Sequence, residues 1–287
     1  MTIATALGAA ADVLARAGIG AARSEAEQLL GDLLGTDRGG LLVRRGEALG
    51  ESERRGFEGW VARRARREPV QYIVGRVEFR GLDLQVDPRV LIPRPETEGL
   101  VEAALAEDPP RGGTVVDAGT GSGCVAIALA VARPDLRVCA IDRSAAAIAV
   151  ARENARIHRV EERVRFDVLD FGDPPAAWDG LMDLLVANPP YVTRDEWAAL
   201  EPEVRDHEPR DALVPGPTGL EAHATLATTA RRILRPGGSV ILEVGWTQAE
   251  AVGVLLGGHG FEAISTRRDF AGIARVVVAR APDGRSR

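Results

Sequence analysis

The stretch from Val115 to Ala130, VVDAGTGSGCVAIALA, joins an apolar β-branched run, a glycine-rich turn and an alanine-rich run. It reads as a buried strand, a tight turn and a helix. Gly119, Gly121 and Gly123 are spaced G-x-G-x-G, unlike the G-x-G-x-x-G fingerprint of dinucleotide binders. Without side chains, such a turn lets a ligand approach the backbone, and the helix behind it offers unpaired N–H groups.

Strands and helices continue to alternate downstream. RVCAID, VRFDVLD, LMDLLVAN and GSVILEVG read as strands; SAAAIAVARENARIH and GLEAHATLATTARRIL read as helices. Near-continuous apolar strands between helices predict a mostly parallel sheet covered on both faces. FEAISTRRD and ARVVVARA, with no helical pattern between them, predict a closing antiparallel hairpin at the sheet edge. Ligands of such sheets bind beyond the carboxyl ends of the strands, where Asp117, Asp142 and Asp170 stand. Asp142 lies about twenty residues past the loop, where an acidic group can bind ribose hydroxyls. Phe171 is placed to stack on an adenine.

Upstream, residues 1 to about 70 read as helices. ATALGAAADVLARAG has apolar residues at helical spacing, and SEAE at Ser24–Glu27 is a capping-box pattern. A third helix is expected from about Glu51 to Arg67, ended by Pro69. Its six arginines between Arg54 and Arg67 are expected to form a solvated face, a partner-binding face being the alternative. VEFRGLDLQVD predicts a hairpin about Gly81. PRVLIPRPETE is an extended connector, and a helix starts at Glu96 or Thr97. The expected domains are 1–72 (helical, substrate recognition), 73–93 (hairpin and linker) and 94–287 (the sheet domain).

Composition narrows the function classes. A net charge of −6 argues against a general nucleic-acid binder. All 36 basic residues are arginine, which excludes lysine Schiff-base and phosphate-loop chemistry. No window approaches 18 apolar residues, so no transmembrane helix is expected. The N-terminus carries Asp12 and lacks a basic start, so no signal peptide is expected. Cys124 and Cys139 in apolar surroundings suit a reduced, cytoplasmic setting, and no metal-ligand pattern is present. His158, His207, His223 and His259 are scattered and are expected in surface or loop roles.

Asn188-Pro189-Pro190-Tyr191 ends the fourth strand of the alternating unit and should face the same crevice. Holding and orienting a planar nitrogen requires acceptors for its N–H groups, because its lone pair is delocalised. The Asn188 side-chain oxygen is one acceptor. Pro189 lacks an N–H, and its carbonyl, aimed by rigid prolines, is another. Tyr191 can pack on a planar group. Such chemistry is positioning and electrostatic preorganisation, with no covalent intermediate.

The glycine loop and strand-end aspartates resemble the S-adenosylmethionine site of class I, Rossmann-like methyltransferases. That resemblance implies that Asp117, Gly119, Thr120, Gly121 and Gly123 hold the methionine part. It assigns Asp142 to the ribose and Asp170 with Phe171 to the adenine end, with Asn188 beside the cofactor. The order REPVQYIVGRVEFRGLDLQVDPRVLIPRPETEGLVE, GTGSG, NPPY and HEPRDAL is similar to the release-factor glutamine methyltransferase family, of HemK or PrmC type. The likeness is strong over residues 68–280. Residues 1–67 match in length and helical character.

It implies N5-methylation of the glutamine in the Gly-Gly-Gln motif of peptide chain release factors. Asn188, Pro189, Pro190 and Tyr191 would be catalytic and substrate-holding. Arg94, Pro95 and Thr97 would lie near the substrate loop or cofactor, unless Arg94 instead pairs with Glu96 or Glu98. Glu208 and Pro209 match a family segment without a chemical role, and HEPRD reads equally as a solvated loop. Three alternatives stand: the same chemistry diverted to another protein or a small-molecule amide, a nucleic-acid exocyclic amine methyltransferase, and a non-catalytic cofactor-binding module.

Overall fold

The computed structural model describes residues 1–283; residues 284–287, the expected end of the sheet domain, lie outside the described residues. The chain forms two compact units: a helical unit of residues 1–76 with 201–207, and a sheet unit of residues 77–200 and 208 onward.

The helical unit contains α1 (Ile3–Arg16), α2 (Ala22–Leu34), α3 (Arg38–Val43), α4 (Glu51–Ala65) and α5 (Val70–Val74). α1 buries Ile3, Leu7, Ala10 and Leu14, the stripe expected of an amphipathic helix. Phe57 and Val61 of α4 and Val70 and Ile73 of α5 join the same core. The SEAE capping box is not formed. α2 starts earlier, with Ala21 at its N-cap and no side-chain cap bond. Glu25 and Glu27 are instead drawn to arginines: Glu25 to Arg64, and Glu27 to Arg23 and Arg38.

The arginines of α4 and its exit do not form a purely solvated face. Arg64 is buried, its Nε 2.5 Å from Glu25 and its Nη2 2.7 Å from Glu203. Arg67 reaches Glu203 at 2.7 Å and Arg63 reaches Glu68 at 2.5 Å. Residues 201–207 thus belong to the helical unit through ion pairs that helical periodicity cannot reveal.

In the sheet unit, β1 (Arg76–Phe79) and β2 (Leu82–Gln85) form the expected hairpin, turning at Arg80 and Gly81, both with positive φ. There follow α6 (Glu98–Ala106), β3 (Thr114–Ala118), α7 (Cys124–Ala132), β4 (Arg137–Asp142), α8 (Ala145–Ile157), β5 (Val164–Val168), β6 (Met182–Ala187) and α9 (Arg194–Ala199). α10 (Pro202–Arg205), in the helical unit's segment, precedes α11 (Glu221–Ile233), β7 (Leu234–Glu243), α12 (Ala249–Gly258), β8 (Glu262–Arg268) and β9 (Ala274–Arg280). The short helices α3, α5, α9 and α10 and the helix α12 are additions to the sequence reading.

The seven-stranded sheet runs β5-β4-β3-β6-β7-β9-β8. β3 to β7 pair in parallel, and β9 is antiparallel to both β7 and β8. This is the doubly wound sheet with a reversed hairpin that the alternation predicted. α7 is alanine-rich because it is buried from Cys124 to Ala130. A Cβ on Gly123, whose φ is +84°, would meet Ile127 and Ala151 at 3.0 and 3.1 Å, so this glycine lets α7 and α8 approach. The strand order reverses between β3 and β6, the switch point at which ligands of open sheets bind.

Candidate active site

The strand register builds the site. Ala118 pairs with Ile141, Asp117 with Val186, and Ala187 with Leu242. The next row across β4, β3, β6 and β7 is therefore Asp142, Gly119, Asn188 and Glu243. A cavity of about 750 Å³ opens along this end. Its lining includes Gly119, Gly121, Asp142, Asp170, Phe171, Asn188 and Pro190. The structure thus brings together the glycine loop, two strand-end aspartates, the aromatic ring and the asparagine.

Gly119 and Gly121 have φ of +77° and +55°, and a Cβ on either would meet nothing within 4 Å. Their freedom serves an open approach to the backbone rather than packing. Asp142 Oδ2 accepts from Gly121 N at 3.0 Å and Oδ1 from Ser144 N at 2.9 Å. Burial raises its carboxyl above the usual range. Asp170 Oδ1 accepts from Gly172 N at 2.8 Å. Asp117, Thr120 and Gly123 stand behind the loop. Asp117, 1% exposed, accepts from Thr120 Oγ1 at 2.6 Å and Ala126 N at 3.1 Å. Burial raises it to about 7, against the pull of those two donors. An open glycine cradle, an acidic strand end and a flanking ring fit a cofactor with an amino-acid tail, a ribose and a purine. Asp142→Ala should weaken S-adenosylmethionine binding about 10- to 100-fold, as expected for bonds to a charged acceptor. Unchanged affinity by calorimetry would remove Asp142 from the ribose role.

Asn188 donates from Nδ2 to Thr97 Oγ1 at 3.1 Å, which leaves Oδ1 as its remaining polar atom. Tyr191 points back into the protein, its hydroxyl 3.5 Å from Glu243 Oε1. Burial, and then Glu243, raise its phenol. Gln248 fixes the Tyr191 backbone, donating to its carbonyl at 2.9 Å and accepting from Gly245 N at 3.0 Å. Neither Tyr191 nor Thr97 lines the cavity.

Glu243, missed by the sequence reading, is 1% exposed, and its Oε2 has no hydrogen-bond partner. Burial raises its carboxyl to about 7, while the facing Thr97 hydroxyl pulls it down. It ends an apolar strand, just as Asp142 and Asn188 do, so the rule that selected those residues also selects it. His223 is fully buried on α11, its Nε2 2.9 Å from the Glu243 carbonyl, rather than at the surface. Burial lowers its pKa.

A raised carboxyl pKa favours folding below the unfolded value and loses that contribution as pH rises to the folded value. Between pH 5.5 and pH 8, wild-type protein should therefore lose about 2 kcal/mol of stability relative to Glu243→Gln. Paired melting curves at the two pH values measure this; parallel shifts would refute it.

Arg94 pairs with neither Glu96 nor Glu98. Its Nη2 lies 2.6 Å from Glu208 Oε1, and Glu208 Oε2 accepts from Ile92 N at 3.1 Å. Glu208 is buried, so HEPRD is not wholly a solvated loop. Burial raises Glu208 despite the facing guanidinium. Its role is to pin the PRPETE connector to the segment after NPPY. Two residues of opposite charge so far apart in sequence gave no signal of pairing.

A doubly wound sheet with this cradle at its switch point defines a methyltransferase domain, and a family model so described matches residues 110–262. A second, described as the PrmC N-terminal domain, matches residues 5–75. The chain is 43% identical over 282 residues to the release factor glutamine methyltransferase of Cereibacter sphaeroides, covering 98% of this chain and 99% of that one. It is 44% identical over 267 residues to that of Geobacter sulfurreducens, covering 93% and 92%. It is also similar to a solved protein-(glutamine-N5) methyltransferase (release factor-specific) of Alicyclobacillus acidocaldarius, at 32% identity and a TM-score of 0.41, covering 69% and 99%. The chain belongs to the release factor glutamine methyltransferase family.

Proposed function

We propose that this protein methylates the side-chain nitrogen of the glutamine in the Gly-Gly-Gln motif of a peptide chain release factor. The observation that carries the proposal is the fixed Asn188 amide: Nδ2 is held by Thr97, so Oδ1 is the atom offered to the cavity. S-adenosylmethionine supplies the methyl group when bound. Asn188 Oδ1 and the Pro189 carbonyl accept the two N–H bonds of the glutamine amide and orient its nitrogen. Both acceptors also stabilise the positive charge that develops there. Pro190 borders the cavity, and Tyr191 holds the turn from behind. Asp142 takes the ribose, Asp170 and Phe171 the adenine end, and the loop braced by Asp117 and Thr120 the methionine part. Gly123 sets the helix behind that loop. Arg94 and Thr97 act on the connector and on Asn188.

The helical domain, expected over residues 1–72, recognises the release factor. The hairpin and linker of 73–93 lead into the catalytic domain from residue 94. No nucleic acid takes part directly, in keeping with the net charge of −6. The setting is the cytoplasm, which suits two free cysteines. No helix among the described residues is long and apolar enough to cross a membrane.

The test is methyl transfer from labelled S-adenosylmethionine to purified release factor, beside the same factor with the Gly-Gly-Gln glutamine replaced. Label on the native factor alone supports the proposal. No label on either, with cofactor binding intact, would redirect the search to other amides.

A further inference from the structure

We infer that Asn154 is a positioning residue that couples the glycine loop to the connector after the hairpin, so that cofactor binding orders the cavity wall beside the methyl acceptor. Asparagine is a poor choice inside a helix, because its side chain competes for backbone hydrogen bonds. Asn154 nevertheless lies within α8, among the buried Ile148, Val150, Ala151 and Ala155, and is 0% exposed. A polar group so buried needs partners, and its partners say what it is for.

All of them are backbone groups. Asn154 Oδ1 accepts from Gln85 N at 2.7 Å. Its Nδ2 donates to Gln85 O at 3.0 Å and to Ser122 O at 2.9 Å. Both amide protons and the oxygen are thus in use, and only one orientation of the amide serves one donor and two acceptors. Leucine would fill the same space on this apolar face and make none of these bonds.

The two ends of the bridge both lead to the cavity. Ser122 belongs to the glycine loop, whose other backbone groups are held from β4: Gly119 N and Thr120 N donate to Ile141 O, and Gly121 N to Asp142. Ser122 O is the loop group held from α8. One turn before Asn154, Ala151 packs so closely that a Cβ on Gly123 would meet it at 3.1 Å. Gln85 ends β2. Two residues on, a turn closes at Asp87, which accepts from Val90 N at 3.1 Å through its carbonyl and from Arg89 N at 2.9 Å through its side chain. Arg89, Val90 and Leu91 then line the same cavity as Gly119, Asp142 and Asn188. His158, one turn after Asn154, has Nε2 3.0 Å from Asp83 O, so α8 grips β2 at two points. Only Asn154 also grips the loop. Ordering the loop about a cofactor therefore fixes Ser122 O, steadies the Asn154 amide and, through Gln85, steadies the wall formed by 89–91.

The inference rests on the methyl-transfer reading proposed above, but its first readout needs no methyl acceptor. Saturating S-adenosylhomocysteine should slow amide exchange of wild type at residues 119–123, and also at 83–91, each about 10-fold, the scale of one hydrogen bond. Asn154→Leu, which keeps the volume, should retain protection of 119–123 and lose its transmission to 83–91. With a methyl acceptor, Asn154→Leu and Asn154→Ala should each raise KM for S-adenosylmethionine about 10-fold and also lower kcat about 10-fold, because the loop and the wall are both released.

Protection confined to the loop in wild type, or transmission undiminished in Asn154→Leu, would overturn the inference. So would a raised KM with kcat unchanged, which would confine Asn154 to the loop. Failure of a release factor to accept methyl from wild type would count against the proposed substrate, and the exchange measurement would still decide the coupling.

Discussion

Replacing Asn188 with alanine is expected to lower kcat for release-factor methylation about 100- to 1,000-fold, the loss typical of one preorganised polar contact to the reacting centre. Affinity for S-adenosylmethionine should change by no more than roughly twofold. The two effects separate because the cofactor groups stand elsewhere on the row: Asp142 and Gly119 on β4 and β3, Asn188 at the end of β6. Alanine removes the acceptor Oδ1 and frees Thr97 from its bond to Nδ2, but leaves the glycine loop and its bonds to Asp142 and Ile141 intact. Single-turnover kinetics with calorimetry tests this. Collapse of cofactor binding, or turnover near wild type, would mean that Asn188 does not hold the methyl acceptor.

Replacing Arg64 with alanine is expected to destabilise the helical unit by about 3 to 5 kcal/mol, the cost of leaving buried charge without its partner. Arg64 is 6% exposed at its side chain and lies between Glu25 of α2 and Glu203 of the 201–207 segment. Burial works against its charge, and only these two carboxylates hold its pKa up. Alanine leaves Glu25 without its arginine and Glu203 held by Arg67 alone. Amide exchange should rise in α2, α4 and residues 201–207, and much less in the sheet. Adding Glu25→Gln should recover most of the loss, because the unpaired charge is then gone. Equal exchange in variant and wild type would show that hydrophobic packing alone holds the segment.

These two residues mark what was and was not legible in the sequence. Asn188 was readable because its neighbours are: two prolines end an apolar strand, and the alternation of strands and helices says which end of the sheet that is. The same logic placed Gly119, Gly121, Asp142, Asp170 and Phe171 on one cavity. Arg64 was unreadable, since helical spacing says which arginines share a face but not which carboxylates approach it. Glu203 follows Arg64 by 139 positions. Arg94 and Glu208, 114 positions apart, escaped for the same reason. SEAE misled because a local capping pattern competes with tertiary ion pairs, and here the ion pairs prevailed.

By itself the sequence determined the periodicities: a helical start, a β-hairpin at Gly81, a parallel sheet closed by an antiparallel pair, and glycines and polar residues at strand ends. These follow from local backbone preference and from which residues avoid water, both written one residue after another. Only the tertiary structure decided the partners. Asp117 braces the loop from behind, Glu208 pins the connector, His223 is buried, and Glu243 stands beside Thr97 on the row of Asn188. A hydrogen bond or ion pair depends on a meeting in space between residues far apart in the chain, and strand register sets that meeting once the whole sheet is assembled.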